Sequence, residues 1–149
     1  MLFIIISIIL FSIIIYFMPK RMTFMEMYTT AWFALTFVLA VDTYLSIKLG
    51  LYGYFEKGIE WKTLIIHFGV FPTYNAIYLN FFPRKHRYKL VYILGHSLIL
   101  VAYESATVLA GAFYYNQWNI VYSAMLYPFI LLILYSNLKI IRALKKRAK

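Results

Sequence analysis

Five apolar stretches, each about as long as a helix needs to cross a bilayer, set the limits on what this chain folds into. A hydrocarbon core about 30 Å thick takes about 20 helical residues at 1.5 Å each. The stretches cover residues 2–18, 23–47, 63–82, 88–110 and 120–138, and each ends at a charge, a glycine or a proline. Thr23, with Glu26 three residues later, predicts a capping box at the start of the second. The expected fold is all-α: a single transmembrane domain over residues 1–149, built as a bundle of five transmembrane helices with a basic tail at 139–149.

Composition agrees with lipid as the solvent. Hydrophobic residues make up 64% of the 149-residue chain and charged residues 13%. Soluble domains average about 45–50% and about 25%. There is no cysteine, which excludes disulfides, thiolate nucleophiles and cysteine-ligated metals. The net charge of +10 does not mark a nucleic-acid reader, because the basic residues flank apolar runs instead of forming a soluble face. The first stretch has no basic region before it and no small-residue cleavage site at Tyr16-Phe17-Met18, so it reads as an uncleaved helix rather than a signal peptide.

Charge also orients the chain, since lysine and arginine gather on the cytoplasmic side. Lys20, Arg21, Arg84, Lys85, Arg87 and Lys89 flank one set of helix ends, together with the tail residues Lys139, Arg142, Lys145, Lys146, Arg147 and Lys149. The alternate flanks hold only Lys48, Lys57 and Lys62. The expected topology is N-terminus outside and C-terminus cytoplasmic, with loops 48–62 and 111–119 facing outward. The tail is expected to contact anionic lipid, at about 1 kcal/mol per basic residue.

Both outward loops are aromatic: GLYGYFEKGIEW contains Tyr52, Tyr54, Phe55 and Trp61, and AFYYNQW contains Tyr114, Tyr115 and Trp118. One reading is an aromatic belt at headgroup depth. The other is a pair of glycine-hinged loops forming a lid or docking site over the bundle. The glycines at 50, 53 and 58 match no nucleotide fingerprint.

Ionisable residues inside spans cost about 2.5–3.5 kcal/mol at the membrane centre and usually face the bundle interior. By helical rise, Asp42, His67 and Glu104 all fall about 6–9 Å below the outer interface. Asn75 and His96 fall together about 18–21 Å down and are expected to pair. The upper three residues form either hydrogen-bonding glue between helices or a proton or ion relay. Two carboxylates and one histidine also fit a metal on paper, but no metal or other cofactor is expected, and Ser97 beside His96 points the wrong way for a nucleophile–base pair. Pro72 and Pro128 lie within the third and fifth stretches and are expected to bend them.

The ordered segments VDTYLSIKLGLYGYFEKGIEW, FPTYNAIYLNFFP and YESATVLAGAFYYNQWNIVYSAMLYP resemble a family of small multi-pass membrane proteins of spore-forming bacilli and clostridia, over about residues 35–142. The resemblance implies a bacterial cell membrane or spore membrane and no activity, so no catalytic role comes with it. The expected function is that of a non-enzymatic membrane protein interacting with lipid, with a protein partner or with another copy of itself, and not with nucleic acid. The alternative is a small oligomeric transporter or proton/ion-coupled element using Asp42, His67 and Glu104.

Overall fold

The structure is a computed structural model describing residues 1–56 and 61–147. Lys57 and Gly58 of the first aromatic loop and Lys149 of the tail lie outside the described residues. Helix α1 is Leu2–Phe17, and α2 is Phe24–Asp42, extended by a π-turn over Thr43–Lys48. Strand β1 is Tyr52–Tyr54. Helix α3 covers 61–80 in three consecutive runs: Trp61–Ile65, a π-turn Ile66–Val70, and Phe71–Asn80. A single 3₁₀ turn, His86–Tyr88, leads into α4, Lys89–Leu109. Strand β2 is Phe113–Tyr115 and α5 is Ile120–Arg147.

The fold is helical, with one departure from the all-α expectation: the two aromatic loops pair as an antiparallel two-stranded sheet. Among the described residues three helices are long and apolar enough to cross a membrane, over Phe24–Lys48, His86–Leu109 and Ile120–Arg147, with mean hydropathies of 1.5, 1.4 and 1.7. Helix α1 is shorter, at 16 residues. The helix surfaces are inverted relative to a soluble protein. Leu2, Ile9, Leu98 and Phe129 are more than half exposed, while Glu26, Thr30, Asp42, His67, Asn75, Asn80 and Glu104 are buried. Water does not tolerate so continuous an apolar exterior, whereas lipid requires it.

Local chemistry explains the element ends. Thr23 and Glu26 make the expected capping box. At Pro72 the missing N–H breaks the α-ladder, and the preceding turn widens to π. The Thr73 hydroxyl donates to the carbonyls of Gly69 and Val70 at 2.5 and 3.0 Å. Gly111 takes φ +67 in a Schellman close, with Ala112 N–H donating to Thr107 O at 2.9 Å and Gly111 N–H to Val108 O at 3.0 Å. Gly50, at φ +61, ends α2 in the same way. There Leu51 N–H reaches Leu45 O, one residue further back, because the closing turn is π.

Helix α3 packs against α1 and α2, and α5 packs against α2 and α4. Side-chain rings join α4 to the other side: Tyr74 and Tyr78 of α3 meet His96 and Tyr92, and Phe3 and Phe11 of α1 meet Tyr103. The inner core centres on Tyr78, Leu79, Leu131 and Leu138. At the end opposite the sheet, the Asn80 side chain accepts from Arg21 N–H at 2.8 Å and Met22 N–H at 3.3 Å, and donates to Pro19 O at 2.9 Å. This holds the α1–α2 connection.

The basic tail corrects an expectation. It continues α5 to Arg147 instead of leaving the helix at Leu138, because the spacing of Leu138, Ile141 and Leu144 and the surrounding Ala, Lys and Arg favour helix. Arg142 and Lys145 turn back to the start of α2: Arg142 pairs with buried Glu26 at 3.2 Å, and Lys145 donates to Thr23 at 3.4 Å. These two residues hold the bundle together rather than serving only as a lipid-facing patch.

Candidate functional site

The site is built on two carboxylates, each held by three donors. Asp42, at the last turn of α2, accepts from the Tyr52 hydroxyl at 2.6 Å and the Tyr54 hydroxyl at 2.7 Å, and lies 2.7 Å from His67 Nε2. Glu104, near the end of α4, accepts from Tyr115 at 2.5 Å and Ser123 at 2.7 Å, and from the Tyr127 hydroxyl. Trp118 extends this second cage by donating to the Ser123 hydroxyl at 2.8 Å. Asp42, His67 and Glu104 are 6%, 4% and 7% exposed.

The two cages correspond. In each, an acid near the end of a helix precedes a left-handed glycine, Gly50 or Gly111, and a strand follows two residues later. Tyr52 and Tyr115 are direct cross-strand partners, and each donates to the carboxylate of its own half. Asp42 and His67 are 25 residues apart; Glu104 and Tyr127 are 23 apart. Units α2–β1–α3 and α4–β2–α5 are thus two versions of one device that ties a strand to a helix end. No internal repeat is visible in the sequence, because the units share little beyond acid, glycine and tyrosine.

The β1–β2 ribbon roofs the bundle. Alternate strand residues face opposite sides, so Tyr52 and Tyr54 point together toward Asp42. At Gly53, between them, the Tyr114 ring lies where a Cβ would be. Leu51 O receives the N–H groups of Asn116, Gln117 and Trp118 at 3.0, 3.0 and 3.1 Å, which locks the second loop onto the first. Burial first, and then the Asp42 carboxylate beside them, push the Tyr52 and Tyr54 phenols well above the ordinary range. Burial and Glu104 raise Tyr115. These phenols therefore remain donors at any physiological pH.

Most of the aromatic rim is accordingly a lid tied down from within, not a belt of outward rings. Trp61, 67% exposed, keeps a belt-like position, and Phe55 adopts φ +53 beside the ribbon. Beneath the roof lies a cavity of about 210 Å³. Its walls are almost wholly apolar, including Phe37, Val38, Phe71 and Leu126, and Asp42, Glu104, Tyr52, Trp118 and Tyr127 line it as well. For scale, an engineered apolar cavity of about 150 Å³ stays dry and takes up benzene.

Two expected groupings do not form. Glu104 does not join Asp42 and His67 but has its own cage, and among the described residues no three potential metal ligands converge. Nor does Asn75 pair with His96. Asn75 donates to Thr30 O at 3.1 Å across the α2–α3 contact, while His96 Nδ1 lies 2.8 Å from the Tyr74 hydroxyl. Equal depth put Asn75 and His96 in one layer, but their helix faces turn to different neighbours. Ser123 and Tyr127 were missed by sequence reasoning, although their i, i+4 spacing on one face of α5 was a usable signal. Comparison of the chain with family models, with curated proteins and with solved structures finds no match.

Proposed function

We propose that this is a five-span integral membrane protein, N-terminus outside and C-terminus cytoplasmic, that binds a small apolar molecule in its interior chamber and is not an enzyme. The observation that carries the reading is the partly open apolar cavity of about 210 Å³ under a hydrogen-bonded roof. The topology draws support from strands β1 and β2, which pair at one end of the bundle, while the Asn80–Arg21 and Glu26–Arg142 contacts lie at the other. The charge bias puts the ribbon outside. The setting in a bacterial envelope implied by the family resemblance belongs to the same proposal.

A proton- or ion-coupled role is the second reading. It is favoured by His67 Nδ1, which is buried and has no hydrogen-bond partner among the described residues, while Nε2 meets Asp42. Three donors on each carboxylate weigh toward anchoring instead.

The chamber is tested with Trp118 as the sole tryptophan, after Trp32→Phe and Trp61→Phe, in nanodiscs of zwitterionic lipid. Added 1-bromooctane is expected to quench Trp118 saturably, and Ala34→Phe, which projects a ring into the cavity, is expected to weaken that quenching at least about fivefold. Quenching that rises linearly and is indifferent to Ala34→Phe would report simple lipid partitioning and remove the reading.

A further inference from the structure

We infer that the chamber takes an amphiphilic cation, an ammonium group on a compact apolar body, and that Glu104 is its counter-charge. This rests on the chamber reading above and names the ligand class. The two halves of the site share the acid, the left-handed glycine and one strand tyrosine, and differ in the other two donors: Tyr54 and His67 on Asp42, Ser123 and Tyr127 on Glu104. Asp42 meets a basic side chain, His67, at 2.7 Å, whereas the same place in the second half is taken by Tyr127. All three partners of Glu104 are neutral hydroxyls, and among the described residues no basic side chain forms an ion pair with it. A carboxylate 7% exposed, at the depth of a membrane helix, has lost its hydration without gaining a cation.

The surroundings of that carboxylate suit a cation rather than a water-filled path. Tyr52, Phe113, Trp118 and Tyr127 line the cavity beside Glu104, and aromatic faces attract an ammonium through their quadrupoles, most strongly where water is excluded. Three of the roughly four lone-pair positions of the carboxylate are used, which leaves one for an N–H donor. The apolar walls toward Phe37 and Leu126 accommodate an alkyl or aryl body of modest size. Asp42, whose three contacts join α2 to β1 and α3, serves the fold and not the ligand.

The test uses the sole-Trp118 protein in zwitterionic nanodiscs, with n-octylammonium and 1-octanol competing against 1-bromooctane quenching. The ammonium is expected to compete at least about tenfold better than the alcohol, and Glu104→Gln is expected to bring the ratio to near one while saturable quenching persists. Equal competition by the two in the wild-type chain overturns the cation and leaves the chamber standing. Competition by neither, with quenching that does not saturate, overturns the chamber itself. An ammonium preference that survives Glu104→Gln overturns the assignment to Glu104. If the glutamine variant fails to accumulate, the ratio in the wild-type chain and in Tyr127→Phe decides: a wild-type ratio near one is again a refutation, and a tenfold ratio kept in Tyr127→Phe supports the carboxylate over the phenol.

Discussion

Asp42→Ala is expected to remove most of the folded protein from the membrane. Three donors lose their common acceptor at once: the hydroxyls of Tyr52 and Tyr54 and His67 Nε2. At the average measured for hydrogen bonds between membrane helices, about 0.6 kcal/mol, three bonds are worth about 2 kcal/mol. If each orphaned group instead carries a desolvation penalty of about 1–3 kcal/mol, the total is several times larger. Even the lower figure is a factor of about thirty in the folded ratio, since about 1.4 kcal/mol is tenfold. The loss also strikes three elements together, because Asp42 joins the end of α2 to β1 and α3. Size-exclusion profiles of a C-terminal fluorescent fusion in mild detergent are expected to show at least about a tenfold loss of the monodisperse peak. Asp42→Asn, which keeps one acceptor oxygen, is expected to fall between wild type and Asp42→Ala. An alanine variant with wild-type yield and melting would mean that the carboxylate does not hold the roof.

At the opposite end, Asn80→Ala is expected to lower the melting temperature by about 4–8 °C. Asn80, 1% exposed, is the one side chain that holds Pro19 O, Arg21 N–H and Met22 N–H. A net loss of about 2 kcal/mol follows from three bonds of ordinary worth. For a chain of this size each kcal/mol shifts melting by about 2–4 °C. Asn80→Asp keeps the acceptor for both N–H groups but sets a carboxylate oxygen against the Pro19 carbonyl in a buried place. Thermal scans should therefore place both variants below the wild type. An alanine variant melting with the wild type would show that the α1–α2 connection is held by its apolar contacts alone.

Much of this architecture is legible in the chain, for reasons that differ by residue. Run length and terminators locate the helices because the bilayer imposes a length, and the Thr23–Glu26 box is a local signal needing no tertiary context. Asp42 and His67 could be brought together by depth, since one short connection joins their helices. Depth does not say which neighbour a helix face meets, and there the sequence reading of Asn75, His96 and Glu104 parts from the structure. The ribbon was illegible for another reason. Each strand is three residues long, too short for alternation to show, and tyrosine beside glycine is equally the composition of an interfacial belt. Only the pairing of two loops distant in the chain makes them a roof, with Tyr52 opposite Tyr115, 63 residues on. The helical tail was hidden because a polybasic run reads first as charge, although its apolar residues keep a helical period through Leu144.

The central claim is a membrane bundle roofed on its outer face by the paired loops, and the cysteine-free chain allows it to be tested directly. Gln117→Cys, in the exposed second loop, and Lys85→Cys, in the exposed connection before α4, are each treated in intact cells with a membrane-impermeant maleimide. The account predicts labelling at position 117 without lysis and at position 85 only after lysis. Labelling of position 85 in intact cells with position 117 protected would invert the bundle, and equal labelling of both before lysis would contradict a membrane-spanning fold.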